Sequence, residues 1–199
     1  MKVKYFKHGK YFRLEEFLRS TTAQKLNIKL EPNAEQLENI ENLIYFCLDP
    51  LRTYYGKAII ITSGFRNEEL NKAVGGSANS QHMKGEAADI VPSVRTENNF
   101  NILFNLAKEV DFDQLILERR YDYKACYVQT WIHISFKKSG NRRQVIETLK
   151  AGKFPAKLMK DYPQKSYILP PFIHKTREEE LKNEEDNYKK AKGGSKDNK

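Results

Sequence analysis

A chain of 199 residues with 39% hydrophobic and 12% aromatic content has enough apolar material for one globular domain with an appendage and is too short for two large ones. Its 10 glycines and 7 prolines exclude a collagenous or proline-rich chain, and no apolar run approaches the roughly 20 residues of a membrane-crossing helix. Lysine and arginine number 35 against 26 acids, a net charge of +9, which favours polyanionic surroundings such as nucleic acid, anionic membrane or acidic wall polymers.

The opening MKVKYFKHGK is basic but has no apolar stretch after it, so no secretory signal is read there. Phe12, Leu14, Phe17 and Leu18 mark a short docking segment over 12–26, where Ser20, Thr21 and Thr22 offer capping hydroxyls. From Ala34 to Leu48 the apolar positions Leu37, Ile40, Ile44, Cys47 and Leu48 recur at helical spacing, and Pro50 predicts the end of that helix. Lys57–Thr62 is a β-branched run of buried-strand type closed by Ser63-Gly64. A short helix is predicted over Glu68–Ala73, followed by a loop of small residues over 75–80. Ala87–Val91 reads as a strand stopped by Pro92, and Phe100, Leu103, Phe104, Ala107 and Val110 predict a second amphipathic helix over Glu97–Val110. Phe112–Glu118 and Trp131–Phe136 read as further strands, and Arg142–Lys150 as a helix closed by Gly152.

Helices and strands without regular βαβ alternation predict an α+β domain, a small antiparallel or mixed sheet packed with helices. It is expected to span 1–175. Residues 176–199 hold seven basic and seven acidic residues and almost nothing that enters a core, so a solvated or disordered tail is expected. The excess positive charge therefore belongs entirely to 1–175. Cys47 and Cys126 lack C-x-x-C spacing and read as reduced, structural thiols.

The chemistry-bearing stretch is Ile61–Val91. It contains Ser80-Gln81-His82, then Gly85, then Asp89, and much later Trp131-Ile132-His133-Ile134-Ser135 places another histidine inside an alternating strand. A catalytic zinc takes three protein ligands and keeps one open position, and His82, Asp89 and His133 supply such a set. A histidine inside an apolar strand is otherwise a hydrogen-bonded core residue, and an arginine such as Arg66 at a helix start is otherwise a surface charge.

The segment S-G-F-R at 63–66, the pattern V-G-G-S-x-x-S-x-H-x-x-G-x-A-x-D from Val74 to Asp89, and W-I-H-I-S at 131–135 together resemble the zinc D-alanyl-D-alanine carboxypeptidase and dipeptidase family. That family shares its fold with the Hedgehog signalling domain. The likeness is strongest to its compact bacteriophage and bacterial members and covers roughly Phe12 to Gly152. It implies one zinc ion bound by His82, Asp89 and His133, and cleavage of an amide bond in the peptide stems of peptidoglycan, as a carboxypeptidase or an endopeptidase of endolysin type. It also implies that Arg66 stabilises the oxyanion of the tetrahedral intermediate, and that Ser80 binds substrate or orients the metal ligands.

A zinc hydrolase of this kind also needs a carboxylate to accept and return a proton. The dipeptidase branch carries an acid three residues before the last histidine, where this chain has Thr130. Glu118, ending Asp113-Gln114-Leu115-Ile116-Leu117-Glu118, is the substitute, in a D-Q-L-I-x-E arrangement associated with the phage-type members. If 119–130 form a loop, Glu118 lies opposite Trp131 and Ile116 opposite His133, which makes Glu118 and His133 diagonal neighbours roughly 7–8 Å apart. A tight hairpin at Tyr121-Asp122 would instead separate them along the ladder. The loop is the reading adopted.

Three functions follow. The first is a zinc peptidase acting on peptidoglycan as a monomer, made in the cytoplasm without a signal peptide and acting on the wall after release or delivery, with no nucleic-acid or membrane partner. The second is a non-catalytic zinc-containing module binding wall peptides or a partner. Nucleic-acid binding through the basic surface is the third, and no helix-turn-helix, zinc-finger or RNA-recognition signature accompanies it.

Overall fold

A capping box opens the largest helical unit: Asn33 Oδ1 accepts from Gln36 N, and Gln36 Oε1 accepts from Asn33 N, satisfying donors that a helix start leaves unpaired. In the computed structural model, which describes residues 9–149, 162 and 164–172, this helix is α3 (Ala34–Leu43). It follows two short helices, α1 (Leu14–Phe17) and α2 (Thr21–Leu26). Contrary to expectation, the helix does not stop before Pro50. It runs through a π turn, Ile44–Leu48, into α4 (Asp49–Tyr55). Asp49 N bonds Ile44 O across the wider turn, and this π turn directly precedes Pro50, which has no N–H to give to the turn before it.

The docking segment is held as its apolar residues predict. Phe12 and Phe17 are buried, and both Asp49 carboxylate oxygens accept main-chain donors, from Lys10 at 2.6 Å and Tyr11 at 3.1 Å.

Six strands form one mixed sheet in the order β1 (Ile59–Ser63), β2 (Ala87–Pro92), β4 (Tyr127–Ser135), β3 (Gln114–Asp122), β5 (Gln144–Leu149), β6 (Lys165–Ile168). Every neighbouring pair is antiparallel except β3 with β5. Alternation along the strands sorts the two faces. Ala88, Ile90, Leu115, Leu117, Ile132 and Ile134 pack with Ile40, Leu43, Ile44, Leu48 and Leu51 of the helical unit and with Leu103, Phe104 and Ala107 of α6 (Glu97–Ala107). The intervening positions Asp89, His133, Trp131 and Glu118 share the opposite face. The α+β class and the mixed sheet packed with helices are thus as the sequence predicts, as is α5 (Glu68–Ala73).

Three further elements depart from expectation. The helix expected over 142–150 is not found, since Gln144–Leu149 is strand β5. Val145 and Leu149, four apart, suit either period, and the β-branched Val145, Ile146 and Thr148 pack better along the outer edge of β3 than in a helix. Residues 119–130 are not a loop: β3 and β4 continue to a turn at 123–126, where Asp122 Oδ1 accepts from Lys124 N and Ala125 N. Strand β6 had no signal, because all four of its side chains are exposed; beside it, Arg143 Nε donates to Pro170 O and Leu169 N to Arg143 O. Gly152 and the tail from 176 lie outside the described residues. No helix among the described residues is long and apolar enough to cross a membrane. Cys47 is buried and Cys126 exposed, both as free thiols.

Candidate functional site

His82 sits on a single 3₁₀ turn, Gln81–Lys84, that ends at Gly85 with φ +75°. Two amide side chains of α3 hold this turn from behind: Gln36 Nε2 donates to Met83 O at 2.8 Å and Asn39 Nδ2 to Lys84 O at 2.9 Å. Gly85 is required twice, by its left-handed backbone and because a Cβ there would stand 2.4 Å from Gln36 O. From the other side Arg66 N donates to His82 O, and the His82 ring Nδ1 lies 2.8 Å from Gly64 O. A carbonyl only accepts, so Nδ1 carries the proton and Nε2 presents its lone pair inward. Gly64 comes close to the backbone of α1: a Cβ there would lie 2.5 Å from Phe17 Cα.

Asp89 and His133 are register partners on adjacent strands, which places their side chains together on one face. Asp89 Oδ1 lies 3.2 Å from His82 Nε2 and 3.1 Å from His133 Nδ1. The three residues form one group whose donor atoms all lie within 4.8 Å of one another, and no fourth His, Cys, Asp or Glu joins the group among the described residues. Each is at most 9% exposed, yet all three line a cleft of about 1240 Å³.

The electrostatics favour the ligand forms of His82 and Asp89. Burial lowers the His82 pKa, against the pull of the nearby Asp89 carboxylate. Burial alone would raise the Asp89 carboxyl, but the facing His82 and His133 outweigh it and hold Asp89 well below the usual carboxylate range. Its second oxygen, Oδ2, is held at 3.0 Å by Arg66 Nη2, and Arg66 Nε and Nη2 are anchored on Ser63 Oγ. The bulge in β1 between Ile61 and Ser63 brings Ser63 opposite Asp89. Two imidazole nitrogens and one ionised carboxylate oxygen, with Gly64 O and Arg66 steadying them from outside, suit a divalent zinc ion with a position left open.

Of the other expected residues, Glu118 pairs with Trp131 and Ile116 with His133. The register is therefore the one the loop reading required, reached through a longer hairpin. Glu118 is a diagonal neighbour of His133 on the site face, buried, and lines the cleft. Arg66 and Ser80 line it too, Ser80 as the residue that starts the 3₁₀ turn.

Sequence reasoning missed the cluster around Asp113. This fully buried carboxylate accepts from Arg142 N and Nε through Oδ1, from Arg142 Nη2 and Gln81 Nε2 through Oδ2, and stands 3.2 Å from Lys137 Nζ. It ties the turn carrying His82 to the start of β5. An aspartate next to a strand start gives no hint of a partner 29 residues on. Burial would raise the Asp113 carboxyl, but hydrogen bonds from Arg142 and Lys137 bring it below its ordinary value. A depressed folded-state value stabilises the fold above the unfolded-state pKa of roughly 3.9, and that stability is lost as pH falls through the folded value. Asp113→Asn is expected to lower unfolding free energy by about 2 kcal/mol at pH 7, with a smaller deficit at pH 3, in urea titrations at both pH values. Equal stability of the two proteins at pH 7 contradicts this.

Residues 10–135 match the family model described as Peptidase M15, a span that contains Arg66, Ser80, His82, Asp89, Glu118 and His133. No curated protein matches the chain.

Proposed function

Because the chain belongs to the peptidase M15 family of zinc D-alanyl-D-alanine carboxypeptidases, we propose that it hydrolyses amide bonds in the peptide stems of peptidoglycan, with one zinc ion held by His82, Asp89 and His133. The observation that carries the reading is the meeting of those three side chains in an open cleft with a buried carboxylate, Glu118, one diagonal step from His133. Zinc, when bound, supplies Lewis-acid polarisation of the scissile carbonyl and brings water towards hydroxide near neutral pH.

The chain's own residues do the rest. Glu118 takes a proton from the attacking water and passes it to the departing amine nitrogen. Arg66 holds and orients Asp89 through Nη2, and its fixed charge beside the cleft offsets the negative charge that develops on the carbonyl oxygen. Ser80 lies at the cleft wall to bind substrate. The net positive charge of 1–175 concentrates the protein at an acidic wall, where it works as a monomer once released or delivered from the cytoplasm, without membrane or nucleic-acid partners.

The test is digestion of purified peptidoglycan by zinc-loaded and by chelator-treated protein, with released fragments identified by mass. Peptide fragments that appear only with the zinc-loaded protein are expected, and their masses distinguish terminal D-alanine release from cross-link cleavage. Release that survives chelation removes the zinc mechanism. Binding of wall peptides without any release would favour a non-catalytic zinc module.

A further inference from the structure

The cleft continues past the metal ligands along strand β4, and it does so in an unusual way for a strand. Five consecutive residues, Tyr127 through Trp131, line it. Side chains of a strand alternate between faces, so a groove lying on one face touches every second residue. A groove touched by all five follows the strand's edge.

The register explains why no described strand pairs with that edge. β2 pairs with β4 from Ala87↔Ser135 to Ile90↔Ile132. Two residues further out in the same register, Pro92 would face Thr130. Proline has no N–H to give, so the ladder cannot be extended there. β2 instead stays with β1, pairing Val91 with Ile60 and Pro92 with Ile59.

Which main-chain groups the gap exposes also follows. Ser135 O accepts from Asp113 N on the β3 side, and Phe136 N donates to Glu86 O on the β2 side. Odd-numbered residues of β4 therefore direct their N–H and C=O towards β3, and even-numbered ones towards β2. Val128 and Thr130 accordingly direct two donors and two acceptors into the cleft, and no partner for these four groups is found among the described residues. At about 3.4 Å per residue they lie about 17 Å and 10 Å along the strand from His133. Val91 and Arg95 line the same cleft.

We propose that this edge holds the substrate as an extended peptide strand, paired by main-chain hydrogen bonds to Val128 and Thr130. The proposal rests on the peptidase reading and adds to it the mode of binding: the enzyme takes a peptide that continues at least three residues beyond the scissile bond along β4, and it reads that stretch through its backbone amides. A second copy of the chain could use the same edge, but the edge opens into the cleft that holds the three metal ligands, which favours the peptide.

The test uses synthetic stem peptides carrying a cross-bridge, fluorescently labelled and each N-methylated at one backbone amide. Binding is measured by fluorescence anisotropy to zinc-loaded Glu118→Gln protein, so no turnover is required. Methylation at alternate amides is expected to weaken binding about tenfold, the scale of one lost hydrogen bond, and methylation at the amides between them less than about twofold. Val128→Pro removes the Val128 N–H that would donate to a peptide carbonyl and is expected to weaken the unmethylated peptide about tenfold, while the alternation of the methylation series remains because the Val128 carbonyl is kept. Equal losses at every amide, no loss at any, or no binding at all overturns the proposal, as does a dimer in sedimentation that Val128→Pro dissolves. The methylation series alone decides should the proline variant fail to fold. Alternation without cleavage by the parent protein supports this inference while sinking the hydrolase reading, and cleavage without alternation does the reverse.

Discussion

Glu118→Gln is expected to lower the rate of stem-peptide release by about 10²–10⁴-fold, the range that a positioned general acid–base contributes, while zinc content and thermal unfolding stay close to those of the parent. Gln keeps the size and hydrogen-bonding reach of Glu and loses only the ability to take a proton. The position is exacting, because the pairing of Glu118 with Trp131 puts it on the same face as His133, and a shift of one residue would turn it into the helical core. Thr130, three residues before His133, offers no carboxylate to take over. Single-turnover release of labelled peptide, read beside metal content, separates the outcomes. Unchanged release removes Glu118 from the reaction, and loss of zinc with loss of release shows that it acts on the metal site instead.

Asp89→Ala is expected to abolish release and to weaken zinc binding by more than about 100-fold, since even outer-shell partners of metal ligands cost 10–100-fold. It removes the oxygen that both imidazoles face and also the partner of Arg66, a side chain only 16% exposed. Leaving that guanidinium without its acid should lower stability as well, by about 3 kcal/mol. Asp89→Asn restores the shape but not the charge and is expected to recover stability better than zinc affinity. Competition against a chromophoric chelator and denaturant unfolding measure the two effects. Parent-like zinc affinity in the Ala variant would mean that the ion is held elsewhere.

Much of the site was legible because its residues sit in elements whose period is plain. Asp89 and His133 lie in short apolar strands bounded by Pro92 and by the Trp131 alternation, so the two side chains had to share a face once the strands paired. The register that brings Glu118 to His133 was also legible, although its route was not: the hairpin continues through polar residues such as Arg120 and Gln129, which bond each other across the strands and carry no apolar signal.

What stayed hidden depends on contacts distant in sequence. Gln36 and Asn39 look like ordinary surface residues of a helix, and only the packing of α3 against the 81–84 turn makes them supports of His82. The fifth strand was hidden because Val145 and Leu149 satisfy two periods at once, and the choice is made by β3, whose outer edge it covers. The open edge of β4 was written in Pro92, which reads as a strand stop, but its consequence for Thr130 appears only once the register is known.

The measurement closest to the central claim is anomalous X-ray scattering at the zinc absorption edge from crystals grown with zinc. One peak is predicted, in contact with His82 Nε2, an Asp89 carboxylate oxygen and His133 Nδ1, with no fourth protein ligand. A peak at another set of side chains, or a site closed by a fourth ligand from the chain, contradicts the account.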